Sequence, residues 1–124
     1  MKAEIRTLLV DDFAPWRDQL RSILKSRPEC DIVGEASDGQ EAVEKATEMQ
    51  PDIILLDLGM PRLNGMEAAK IIHQKCPNSK ILFVTQETDG DIRNAAIQVG
   101  AVDYVLKSNA GNKLLDAITT ALCR

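Results

Sequence analysis

Short runs rich in Ile, Val and Leu alternate along this chain with segments whose apolar residues recur every three or four positions. The runs fall at Ile5–Val10, Ile32–Ala36, Ile53–Leu56, Ile81–Val84 and Tyr104–Leu106. Most lack an in-and-out alternation, which marks strands covered on both faces. Between them, Phe13, Trp16, Leu20, Ile23 and Leu24 form one helical stripe, with Pro15 acceptable because it falls in the first turn. Asp38 followed by Glu41 resembles a capping box and opens a helix that buries Ala42, Val43, Ala46 and Met49. Asn64 caps a third helix burying Met66, Ala69 and Ile72. Ile92, Ala95, Ala96 and Val99 mark a fourth, with Gly100 as its left-handed C-terminal cap. Leu114, Leu115, Ile118, Ala121 and Leu122 form the last stripe.

The order is strand then helix, five times over. Such alternation predicts an α/β domain with a parallel sheet, right-handed crossovers and helices on both faces. Five strands suit the flavodoxin-like doubly wound arrangement, (βα)5 with strand order 2-1-3-4-5 and five surrounding helices, over a single domain of residues 1–124. Ligands of such sheets bind beyond the carboxyl ends of the strands, near the switch between strands one and three.

Composition narrows the function. With 44% hydrophobic and 27% charged residues the chain reads as an ordinary globular protein. A net charge of −4 makes it a poor partner for nucleic acid or anionic lipid by itself. No apolar run reaches the length of a membrane span, and the N-terminus, which carries Glu4 and Arg6 and then enters the strand-like Thr7–Val10, does not read as a signal peptide. Cys30, Cys76 and Cys123 are odd in number and lack C-x-x-C spacing, which suits a reducing cytosol. The expected location is the cytoplasm.

The chemistry lies where the strands end. The first strand runs into Asp11 and Asp12, the third into Asp57, the fourth into Thr85 and the fifth into Lys107. Any one of these has an ordinary explanation, since strand-to-helix loops are polar and Asp or Thr often caps the next helix. All five together make coincidence a poor account. Three crowded carboxylates raise one another's pKa unless a cation sits among them. Oxygen-only ligands point to a hard divalent ion, and a site this sparse suits Mg2+. A phosphoryl group then fits between the metal, the Lys107 ammonium and the Thr85 hydroxyl, the arrangement by which phosphoryl transfer is catalysed. Asp57, at the end of the central strand, is the natural nucleophile and would become an aspartyl phosphate.

No G-x-x-x-x-G-K-[ST] loop and no G-x-G-x-x-G follows the first strand, so the phosphoryl donor is not a nucleotide held by this chain. A phosphatase of the haloacid-dehalogenase type uses a similar Asp, Thr or Ser, Lys and magnesium. It adds a second aspartate two residues after the nucleophile. Here that position is Gly59, so an acyl phosphate should form and persist, which favours a signal over turnover.

Over essentially its whole length the chain resembles the receiver family of bacterial two-component systems. The residues that carry the resemblance are Leu8–Asp12, Asp52–Pro61, Asn64-Gly65, Val84-Thr85 and Gly100–Lys107. It implies a phosphorylation switch rather than an enzyme. Asp12 and Asp57 would bind Mg2+ directly together with the backbone carbonyl of Gly59, while Asp11 acts largely through water. Thr85 would be the switch hydroxyl, Tyr104 the switch aromatic and Lys107 the phosphoryl-binding cation. The implied donor is a sensor histidine kinase or a phosphotransfer protein. Lys107-Ser108, with the segment Met60–Ala68, is similar to receivers joined to helix-turn-helix output domains, which implies control of transcription. DNA would be bound only through a separate C-terminal domain, with homodimerisation or release of a masked effector as the route of output. A receiver that serves only as a constitutive interaction module is the rival reading. Such a module would be expected to have lost an acid, the acceptor or the lysine, and this chain keeps them all.

Three positions depart from the family pattern. Gln86 stands where a small residue is usual and would crowd the phosphoryl group. Gly59 offers no side chain to orient water, leaving Glu87 as the nearby residue able to do so. Ser108 replaces a common cis proline, and because a cis non-proline peptide costs about 3–4 kcal/mol the Lys107-Ser108 bond should be trans. His73 reads as a surface residue, Met49 and Met66 as core, and Trp16 as packed against the sheet.

Overall fold

The computed structural model describes residues 4–60, 63–86 and 91–123. In chain order the elements are β1 (Ile5–Val10), α1 (Ala14–Leu24), β2 (Cys30–Ala36), α2 (Gly39–Met49), β3 (Ile53–Leu56) and α3 (Gly65–Lys75). They continue with β4 (Lys80–Thr85), α4 (Asp91–Gln98), β5 (Asp103–Leu106), a single 3-10 turn (Lys107–Asn109) and α5 (Ala110–Leu122). All strand pairs are parallel, in the order β2-β1-β3-β4-β5. The doubly wound topology expected from the alternating pattern is the one observed.

Each face of the sheet has its own core, and the period of two along the strands divides residues between them. Leu8, Val10, Ile54, Leu56, Ile81 and Phe83 pack with Ala42, Ala46, Ala68, Ala69, Ile72 and Ala96 from α2, α3 and α4. Leu9, Ile53, Leu55, Leu82, Val84 and Val105 pack with Leu20 and Leu24 of α1 and with Leu114, Ile118 and Ala121 of α5. β3 and the second half of β1, Leu8–Val10, therefore bury side chains on both sides, which is why they read as unbroken apolar runs.

The helix starts follow local chemistry. The Asp38 side chain accepts from the Glu41 N–H at 2.8 Å, and Glu41 reaches back to the Ser37 N–H at 2.7 Å. The Asn64 side chain accepts from the Glu67 N–H at 2.9 Å. Gly100 has φ +102° and its N–H donates to the Ile97 carbonyl, as the end of α4 requires. The Lys107-Ser108 bond is trans.

Phe13 does not join the α1 stripe. It is the N-cap of α1, in extended conformation with φ −103°, so its side chain leaves the helical period and is 60% exposed. Met49 and Met66 are half-buried against the first core, and His73 is exposed. Cys30 and Cys76 are buried and Cys123 exposed, all three as free thiols. Among the described residues no helix is long and apolar enough to cross a membrane.

Candidate functional site: an acidic cleft at the carboxyl ends of the strands

Main-chain bonds carry the sheet one residue beyond its regular strands and so fix the acids. The Asp11 N–H donates to the Ala36 carbonyl at 3.0 Å, and the Asp57 N–H donates to the Val10 carbonyl at 2.9 Å. Asp11 is turned further by local contacts. Its Oδ1 accepts from the Phe13 N–H at 2.8 Å, and its carbonyl accepts from the Arg17 guanidinium at 2.5 Å. Arg17 is held in turn by Glu35 of β2 at 2.8 Å, and Arg21 also pairs with Glu35. Helix α1 is thereby tied to the end of β1 and to the neighbouring β2.

Two close approaches shape the loop after β3. The Gly65 N–H donates to the Leu58 carbonyl at 2.9 Å. A Cβ at Gly65 would overlap the Asp57 carbonyl oxygen and lie 2.6 Å from the Leu58 Cα. A Cβ at Gly39 would likewise overlap the Leu63 carbonyl, so the start of α2 presses on the far end of the same loop. Only glycine permits this packing.

The resulting cleft, of roughly 270 Å³, is lined by Asp11, Asp12, Phe13, Asp57, Gly59, Thr85, Gln86 and Lys107. Six of the seven residues singled out from the sequence thus converge. Asp11, Asp57 and Thr85 are buried and Asp12 is exposed. One carboxylate oxygen from each of the three aspartates lies within 4.8 Å of the others. The Lys107 Nζ sits 2.6 Å from Asp11 Oδ2 and 3.8 Å from Asp57 Oδ1. The Asp11 contact falls outside hydrogen-bond angles and is an ion pair, leaving a buried oxygen without a directional donor. Burial pushes the Asp57 carboxyl up from 3.8 to about 6. Asp11 adds to the rise, Lys107 and the Leu58 N–H oppose it, and Asp12 adds a smaller part.

Tyr104 is not in this cleft. It pairs in register with Phe83, is half-buried against the core under α2, α3 and α4, and lines a neighbouring groove with Arg93, Asn109 and Lys113. Thr85 and Tyr104 do share a face of the sheet: Thr85 pairs with Leu106, two residues beyond Tyr104. Glu87, Pro61 and Arg62 lie outside the described residues.

Two residues at the site were assigned elsewhere from the sequence. Phe13 lines the cleft, and the Lys107 Nζ stands 5.3 Å above the centre of the Trp16 ring. Periodicity could not find either. Phe13 precedes the helix, and the Trp16 contact joins the two ends of the chain.

The doubly wound parallel sheet gathers three carboxylates, a hydroxyl and an ammonium at its carboxyl rim, groups whose chemistry suits a cation and an anion side by side. The chain belongs to the response regulator receiver domain family, whose model matches residues 7–119. Receiver domains are the phosphorylation-dependent switches of two-component systems, and that is the role of this chain. It is 40% identical over 117 residues to the transcriptional regulatory protein LiaR of Bacillus subtilis, covering 94% of this chain and 56% of that protein. It is 44% identical over 111 residues to a protein-glutamate methylesterase/protein-glutamine glutaminase of Thermotoga maritima, covering 89% of this chain and 32% of that protein. Among solved structures it is similar to a LuxR-family two-component response regulator from Aurantimonas sp. SI85-9A1. That match has a TM-score of 0.92 and 34% identity, over 98% of this chain and 86% of the other. The chain thus spans about half of the first relative's length and about a third of the second's.

Proposed function

We propose that Asp57 is the phosphoacceptor of this receiver, over the single domain of residues 1–124, and that Lys107 and Thr85 hold the phosphoryl oxygens. The observation that carries the reading is the Lys107 ammonium lying between two buried carboxylates at the rim of the sheet. An Asp57 carboxylate oxygen attacks phosphorus, the bond to the donor breaks, and the leaving atom keeps its electron pair. The donor is the phosphorylated imidazole of a sensor histidine kinase or a phosphotransfer protein. Asp57 must be ionised to attack, and its raised pKa leaves the carboxylate form in the majority only above about pH 6.

The donor set fits Mg2+. Three carboxylates that each place an oxygen within 4.8 Å of the others, with Asp11 Oδ2 buried and lacking a directional donor, are poorly served by a single ammonium. Asp12 and Asp57 would hold the ion with the Gly59 carbonyl, and Asp11 would act through water. When bound, the metal supplies charge neutralisation at the phosphoryl oxygens. Lys107 would bind the transferred group from the opposite side. Thr85 would then be drawn toward it, leaving room for Tyr104 to repack on the same face of the sheet.

The output lies outside this chain. With a net charge of −4 it lacks the basic footprint that supplies most protein–DNA affinity. We assign transcription control in the cytoplasm, exerted through a C-terminal DNA-binding domain, a reading supported by the likeness to the transcriptional regulatory protein LiaR, with phosphorylation promoting a homodimer or releasing the effector. The methylesterase relative makes an enzymatic output domain the second reading; the receiver itself would not turn over a substrate. The test is acetyl phosphate with Mg2+. The chain should gain one hydroxylamine-sensitive phosphate that Asp57→Asn lacks and Asp12→Ala greatly reduces. Wild-type yield in Asp57→Asn would remove Asp57 as the acceptor, and steady release of phosphate would make the domain a phosphatase.

A further inference from the structure

Lys107 is reached from the side of α1 by a residue that neither donates to it nor carries charge. Trp16 lies in the first turns of α1, half-buried against the core beneath α1 and α5, and its ring faces the Lys107 ammonium at 5.3 Å. The indole Nε1 is buried and has no hydrogen-bond partner among the described residues. Trp16 therefore keeps its place through its ring, and the ring face is where its interaction with the site lies.

A lysine has a flexible stem and three donors, so its head is easily lost to solvent. In the cleft Asp11 and Asp57 attract it from one side. The negative face of an indole attracts a cation as well, and unlike a carboxylate it keeps that attraction through protonation, metal binding or phosphorylation of its neighbours. We propose that Trp16 is a positioning residue for Lys107, a fixed aromatic wall that keeps the ammonium in the cleft as the charges on the acids change. The inference rests on the reading of Asp57 and Lys107 given above and adds to it a residue from α1.

The test is binding of beryllofluoride with Mg2+ to the full 124-residue chain, followed by fluorine NMR so that loss of the indole does not remove the signal. Trp16→Leu should weaken binding about two- to fivefold, the size of an accessible cation–π contact. Trp16→Phe, which retains a ring face, should recover most of the loss. In a Lys107→Met background Trp16→Leu should cost nothing further. An equal loss in both backgrounds would reduce Trp16 to packing and overturn the proposal, as would unchanged or tighter binding by Trp16→Leu. A wild-type chain that fails to bind beryllofluoride would instead overturn the site reading, and this proposal with it. Because Trp16 is the single tryptophan, a second measurement needs no change at that position. Its fluorescence should shift when Lys107→Met removes the cation, and an unaltered spectrum would also count against the contact.

Discussion

Lys107 is paired with Asp11 rather than with Asp57: its Nζ is 2.6 Å from the first and 3.8 Å from the second. The cation proposed to meet the phosphoryl group is already neutralising a buried acid that has no other close charge partner of opposite sign among the described residues. Removing it leaves Asp11 buried and uncompensated, a loss on the order of 1–3 kcal/mol. Lys107→Met should lower urea stability by about that amount without metal, and Mg2+ should restore part of it. A variant as stable as wild type in chelator would show that the pair contributes nothing.

Burial and the neighbouring acids raise the Asp57 carboxyl from 3.8 to about 6. The folded state therefore holds this proton more tightly than the unfolded chain. Between about pH 4 and pH 6 the contribution of Asp57 to stability falls as pH rises, and above that window its full cost is present. At about 1.4 kcal/mol per pKa unit, Asp57→Asn should be about 1–3 kcal/mol more stable than wild type at pH 7.5. The two should converge near pH 4, and Mg2+ should narrow the gap at neutral pH. Thermal melts across that range check the sign, and a difference independent of pH would contradict it.

Thr85 and Tyr104 share a sheet face without sharing the cleft. Thr85→Ala should still accept phosphate on Asp57 but lose a hydroxyl contact to a charged oxygen. Such a contact contributes about 1.5–3 kcal/mol, which is tenfold or more in the balance of two states. The expected outcome is near-normal phosphorylation with most of the Tyr104 ring shifts missing from NMR spectra. Wild-type shifts in the phosphorylated variant would uncouple the two residues.

The tight loop after β3 makes a further distinction. A Cβ at Gly65 would overlap the Asp57 carbonyl, whereas one at Gly111 in the first turn of α5 meets nothing within 4 Å. Gly65→Ala must move backbone beside Asp57, the proposed acceptor, so it should cost about 2–3 kcal/mol and abolish beryllofluoride binding. Gly111→Ala should leave binding intact and stabilise by up to about 0.5–1 kcal/mol. Equal behaviour of the two variants would dismiss the packing account.

What the sequence made legible follows from the range of the forces involved. Strand β3 was found at its full extent because both its faces are buried, leaving an uninterrupted apolar run. The caps at Asp38 and Asn64 were found because their hydrogen bonds span three residues. The acids, Thr85 and Lys107 were legible as a set because parallel strands all deliver their carboxyl ends to one rim. Phe13 was misread because the helical period was extended one residue before the helix begins. The Trp16–Lys107 contact depends on α1 and the end of β5 meeting across the sheet, a tertiary fact with no local signature. Tyr104 lies three residues before Lys107 along the chain, and the pleat turns it toward the other core.

That pleat partitions the molecule. Asp11, Lys107 and Trp16 gather over the side packed by α1 and α5, while Thr85 and Tyr104 look toward α2, α3 and α4. Damage to the two halves should accordingly be inherited differently. A cavity carved among Leu20, Leu114 and Ile118 would cost folded protein and also loosen the core on which Trp16 rests beside Lys107. One carved beside Phe83 and Ala96, both fully buried, would cost folded protein too and would loosen the face that Thr85 and Tyr104 share.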